Sequence, residues 1–200
     1  MTSTQLASSF RDPSGFIYKE GDDILRQVNL PYQEHYDFLM SSGLYEELTK
    51  DGLLIPHEEL DISQAPGPSA YKVLKPQQVP FISYPYEWCF SQLKDAALAT
   101  LDIQKRALAH GMILKDASAY NIQFVDGKPR LIDSLSFEVI REGAPWIAYK
   151  QFCEHFLAPL AIMSYRDERL GKLSRIHLDG VPLELAKRLL PYRTKFRFSL

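Results

Sequence analysis

Leu114-Lys115-Asp116-Ala117-Ser118-Ala119-Tyr120-Asn121 runs into Ile122-Gln123-Phe124-Val125, then Asp126-Gly127-Lys128-Pro129, then Arg130-Leu131-Ile132-Asp133-Ser134-Leu135. Two short β-like runs flank a turn rich in Asp, Gly and Pro, so the middle of the stretch reads as a hairpin. Asp116 stands before the hairpin, Asn121 at its entry, and Asp133 at its exit. A loop followed by a tight hairpin brings these three side chains together. Two acids and an amide so grouped are the candidate chemistry of the chain. A plainer reading stays open beside this one, because Asp and Asn are common loop residues that cap and turn the backbone.

Working outward, Ser91 is positioned to cap a long helix through His110. Leu93, Ala96, Ala97, Leu101 and Leu108 form its apolar stripe, and Gly111 is its stop. Downstream, Trp146–Tyr165 is helical, and Pro159 must kink or split it. Upstream, Gly15–Glu20 and Asp23–Val28 read as strands joined at Gly21-Asp22. Tyr32, Tyr36, Leu39 and Met40 recur at helical spacing before Gly43, and a second short helix is expected over Leu44–Lys50. Pro66-Gly67-Pro68 marks a loop between Asp61 and Ser69. Tyr71–Leu74 and Val79–Tyr84 look like two more strands, with Pro76 and Pro80 limiting central pairing. The expected organisation is α+β: a small β-rich N-lobe over residues 1–84, and a mainly helical C-lobe over 85–200 that carries the hairpin and is entered through Pro85-Tyr86-Glu87-Trp88.

Composition excludes several classes. The 200 residues, 46% hydrophobic and 24% charged, suit one folded domain of generous size. A net charge of -2 lacks the basic excess that phosphate-backbone binding shows, so no nucleic-acid partner is expected. The longest apolar run, Phe156–Met163, is far below the ~18 residues of a membrane span. Met1–Phe10 has no basic stretch leading an apolar one, so no secretory signal is read. Cys89 and Cys153 form no C-x-x-C pair and read as reduced, buried thiols of a cytoplasmic protein. The five histidines show no H-x-x-x-H or H-E-x-x-H spacing, and Ser134 and Ser136 lack a G-x-S-x-G context, which sets zinc and serine hydrolases aside.

The quoted stretch resembles the catalytic segment of the protein-kinase-like fold, in which an H-R-D-x-x-x-x-N loop leads through a hairpin to D-F-G. By that resemblance Asp116 takes the catalytic-base position, while Asn121 and the acid Asp133 take the metal-binding positions. Tyr84, Glu87 and Trp88 line the adenine pocket, and Arg26, with Lys72 as the alternative, pairs the phosphates. Glu34 on the following helix is the candidate ion-pair partner of that basic residue. The implied cofactors are ATP and magnesium, and the implied partner is a small-molecule acceptor, as in aminoglycoside phosphotransferases. The chain also departs from the pattern. Leu114-Lys115 replaces His-Arg, Ser134-Leu135 replaces Phe-Gly, and the first hairpin offers only Gly15 and Gly21 in place of a glycine-rich loop. Either an active small-molecule kinase or a non-catalytic pseudokinase accommodates these departures.

A second resemblance rests on Ser42-Gly43-Leu44-Tyr45, on Ile82–Trp88, on Leu114–Asn121 and on Phe152–Leu160. These phrases are similar to the N-terminal region of bacterial proteins labelled SAM-dependent methyltransferases, the nodulation-protein NoeA-like group. No stretch here resembles the glycine-rich SAM loop. The resemblance therefore implies a methyltransferase domain further along, with SAM bound only there and this chain as a binding or regulatory domain before it. The strand-like run Phe196–Leu200 ends without a closing turn, which fits an N-terminal piece of a longer protein.

Overall fold

The computed structural model describes residues 4–5 and 13–196, with side chains over 13–194. Strands β1 (Thr4–Gln5), β2 (Gly15–Glu20), β3 (Asp23–Asn29), β4 (His57–Leu60) and β5 (Ala70–Pro76) form one antiparallel sheet. Its order is β1-β2-β3-β5-β4. The β2–β3 register pairs Glu20 with Asp23, which leaves Gly21-Asp22 as a two-residue turn with Gly21 at φ +60°. Helices α1 (Gln33–Ser41) and α2 (Leu44–Lys50) lie between β3 and β4, separated by Gly43 at φ +85°. Tyr32 and Tyr36 pack with Val28, Leu74 and Leu135, which fixes the start of α1 on the sheet.

Two strand expectations need revision. β4 is an edge strand whose His-Glu-Glu-Leu sequence carries none of the β-branched or aromatic residues that advertise a strand, and it holds by pairing with β5. Val79–Tyr84 is not a strand. Pro80 has no N–H to donate, and the buried Gln123 side chain takes over the bonding of Ser83: its Oε1 accepts from Ser83 N and its Nε2 donates to Ser83 O, both at 2.9 Å.

The remaining residues are mainly helical. Helix α3 (Phe90–Ala109) has its N-cap at Cys89, two residues before the expected cap Ser91, and the Cys89 N–H is donated to Gln92 Oε1 at 3.1 Å. Leu93, Ala96, Ala97, Ile103 and Ala107 face the main core, whereas Leu101 and Leu108 point to solvent, contrary to the expected stripe. Cys89 is exposed and Cys153 buried, so only the latter fits the buried-thiol reading. Gly111 at φ +74° ends α3, and β6 (Met112–Leu114) then pairs with β9 (Phe137–Val139). Between them β7 (Ile122–Val125) and β8 (Lys128–Leu131) form the anticipated hairpin. Its turn is only Asp126-Gly127, at φ 53° and 73°, and Lys128-Pro129 belong to the strand.

Helices α4 (Tyr149–Phe152) and α5 (Ala158–Tyr165) are separated by a π-helical turn over Cys153–Leu157 just before Pro159, the expected break. Helix α6 (Leu183–Leu189) packs on α5 through Ala186 and Val181. The chain is therefore a mixed α/β protein with a five-stranded sheet and six α-helices among the described residues. None of those helices is long and apolar enough to cross a membrane. The run expected over Phe196–Leu200 lies, beyond Phe196, outside the described residues.

Candidate functional site

Strand alternation decides which β3 side chains reach the hairpin. Arg26 stands opposite Leu74 of β5 and shares a face with Val28, whose cluster includes Leu135. Arg26 therefore meets the chain just after β8, where its Nη1 lies 2.6 Å from Asp133 Oδ1. The same oxygen accepts the Leu135 N–H at 2.7 Å, an Asx turn that holds the carboxylate in place. The two side chains are only 10% and 17% exposed, and Arg26 Nε is buried without a hydrogen-bond partner.

Asn121 is reached through Ser136. Its Nδ2 donates to Ser136 Oγ at 3.3 Å, and Ser136 N donates to the Asp133 carbonyl at 3.3 Å. Asp116 sits one turn earlier, its Oδ1 accepting from Ser118 N at 2.9 Å, while Ser118 Oγ accepts from Tyr120 N at 3.2 Å. Gln151 Oε1 accepts the Ala117 N–H at 2.7 Å and so ties this loop to α4. His155 is buried near Asp116. Burial holds its ring below the usual imidazole range, while the charges of Asp116 and Asp179 pull the other way. Tyr120 stands edge-on to His155 at 6.1 Å, its hydroxyl buried with no partner.

Lys115, next to Asp116, reaches back toward the sheet. Its Nζ donates to Ser14 Oγ at 2.6 Å and lies 4.8 Å from the centre of the Tyr32 ring. Beside Arg26 is a pocket of about 40 Å³ lined by Ile17, Ile24, Leu74, Pro76, Ile132 and Ser134 among others. A larger cleft of about 540 Å³ opens outside β4 and β5, around Asp23, His57, Lys75 and Gln77. It contains none of Arg26, Asp116, Asn121 or Asp133, so its size says nothing about the chemistry of that group.

No family model matches the chain. Over 198 residues it is 37% identical to nodulation protein NoeA of Rhizobium meliloti (strain 1021), an alignment that covers 98% of this chain and 41% of that protein. The chain is related to NoeA. It spans about two fifths of that relative's length. The likeness to NoeA supports the NoeA-like part of the second resemblance read from the sequence.

Several expected site residues are placed elsewhere. Lys72 pairs with Glu59 of β4 at 2.5 Å, so Arg26 is the basic residue that reaches Asp133. Glu34 is exposed in the first turn of α1, and the acid that meets Arg26 is Asp133 instead. Tyr84, Glu87 and Trp88 do not line the pocket beside Arg26, whereas Pro76 at the end of β5 does. Glu87 Oε2 accepts the Tyr84 N–H at 2.8 Å in a turn leading to α3, and Trp88 packs edge-on against Phe124 at 5.2 Å. Among the described residues no group of three or more His, Cys, Asp or Glu is arranged to hold a metal. At Asp133 the Oδ1 oxygen already faces the Arg26 guanidinium and the Leu135 N–H, so a magnesium ion there would have to share the carboxylate with a resident cation. The residues that sequence reasoning missed are Lys115, Ser14, Ser136, Gln151 and His155, each a single polar side chain with no spacing to announce it.

Proposed function

We propose that the chain is a non-catalytic, kinase-like binding or regulatory domain of a longer protein, preceding a SAM-dependent methyltransferase domain that alone binds SAM and performs methyl transfer. The order of elements supports the kinase-like part. Arg26 lies on the third strand, where kinases carry the phosphate-pairing Lys, and a helix follows it. The Asp116–Asn121 loop, the hairpin and Asp133 then come in the kinase order.

The observation that carries the non-catalytic part is the Arg26–Asp133 ion pair beside a pocket of about 40 Å³. Ligand sites usually offer roughly 300 to 1,000 Å³. The first hairpin supplies no glycine-rich run, and its Gly15 does not face open space. A Cβ at Gly15 would collide with the Gln27 carbonyl oxygen and lie 2.9 Å from Leu135 Cδ1, so this glycine serves close packing. Likeness to NoeA over 41% of that protein is the support for a longer polypeptide.

Calorimetric titration of the chain with ATP, with and without magnesium, tests the reading. The expected result is no metal-dependent heat at millimolar nucleotide. Metal-dependent binding that disappears in Asp133→Ala would overturn it in favour of phosphoryl transfer to a small molecule. In that second reading Asp116 accepts the proton of the acceptor hydroxyl, and Asn121 and Asp133 hold magnesium; the retention of all three residues is what favours it.

A further inference from the structure

We infer that the Arg26 guanidinium is the resident cation of the cleft, standing against Asp133 in place of a metal ion, so that sheet and hairpin close on each other without metal or nucleotide. The inference rests on the kinase-like reading for the idea of a metal at Asp133, and on its own geometry for the rest. A carboxylate that is only 17% exposed is costly to keep ionised unless a cation and hydrogen bonds compensate it. The Leu135 N–H supplies one bond, and Arg26 supplies the charge. Lys72 and Lys115 are committed elsewhere, Lys72 to Glu59, and Lys115 to Ser14 and the Tyr32 ring.

The contact runs through one short distance, Nη1 to Oδ1, while Nε is buried without a partner. What it brings to Asp133 is above all a positive charge at one point, which another cation can supply. Arg26 belongs to the chain itself, so the closure needs no cofactor.

The test is thermal unfolding of the whole chain in EDTA and in millimolar MgCl₂ or MnCl₂, for the wild type, Arg26→Gln and the double variant Arg26→Gln/Asp133→Asn. The wild-type midpoint is expected to be the same in all three media. Arg26→Gln leaves Asp133 as an uncompensated buried charge, so its midpoint falls by at least ~5 °C and rises again in part with Mn²⁺. The double variant, with the carboxylate neutralised, recovers stability without metal and ignores added metal.

The inference is overturned if metal stabilises the wild type, if Arg26→Gln is as stable as the wild type or indifferent to Mn²⁺, or if the double variant is no more stable than the single one. Should Arg26→Gln fail to fold, the double variant still decides. Arg26→Lys, which keeps a cation, must then fold and remain metal-insensitive. Nucleotide binding by the wild type with no metal stabilisation would sink the non-catalytic reading while leaving Arg26 as the cleft's cation.

Discussion

His57 shows how one half-buried ring sets a pH limit. Tyr36 Oη donates its only proton to Glu59 Oε1 at 2.8 Å, so Tyr36 Oη must accept from His57 Nε2 at 3.0 Å, which fixes that nitrogen as the protonated one of a neutral ring. Burial holds His57 far below the ordinary imidazole value, at about 4; Glu59 opposes this, and the positive charge of Arg26 adds to it. The folded value is depressed relative to the unfolded one, so the neutral ring stabilises the fold fully above about pH 6.5. That contribution is lost as pH falls toward 4, and it amounts to up to about 3 kcal/mol. Urea unfolding at neutral pH and just above pH 4, compared between wild type and His57→Asn, checks this. The variant should lose less stability on acidification than the wild type; equal losses would show that other groups carry the acid sensitivity.

The elements that could be read in the sequence are those fixed by local chemistry. Gly21-Asp22 and Asp126-Gly127 each turn a chain tightly whatever surrounds them, and Gly43 and Gly111 end helices by adopting φ above zero. The Asp126-Gly127 turn carries its own prediction: with Gly127 at φ +73°, Gly127→Ala should cost about 1–2 kcal/mol, read as a lower denaturant midpoint at unchanged slope. Open space surrounds that Cβ, so an unchanged midpoint would mean that backbone conformation is not what the glycine supplies. What the sequence hid depends on tertiary placement. Val79–Tyr84 has the residues of a strand but loses its ladder partner to the Gln123 side chain. β4 is too charged to announce itself and exists because β5 has a free edge. The approach of Asn121 to Asp133 through Ser136 was legible because a hairpin brings the ends of its strands together. The partner of Arg26 was not: whether Glu34 or Asp133 meets it depends on how α1 and the hairpin dock on the sheet.

At the scale of the molecule, the sheet with α1 is tied to the second half of the chain by four polar contacts. Arg26 meets Asp133, Lys115 Nζ donates to Ser14 Oγ, Tyr32 Oη donates to the Phe137 carbonyl, and Val139 N donates to His35 Nδ1. Apolar packing crosses the same boundary, with Leu135 set among Val28, Tyr32, Tyr36 and Leu74. Contacts of this density make opening one half without the other unfavourable, so unfolding should be a single cooperative transition. Trp88 and Trp146 both lie in the second half, and their fluorescence reports it alone, whereas far-ultraviolet circular dichroism reports the whole chain. The two denaturant transitions should coincide in the wild type. Tyr32→Phe leaves the buried Phe137 carbonyl without its donor and Lys115→Ala removes the link to Ser14, each costing roughly 1–3 kcal/mol. In the double variant the circular-dichroism transition should begin at lower denaturant than the fluorescence transition, because the sheet loses two of its anchors while the helical core around Trp88, Leu93 and Phe156 keeps its own. Transitions already separated in the wild type would show the two halves to be independent, with Arg26 and Asp133 joined only loosely across them.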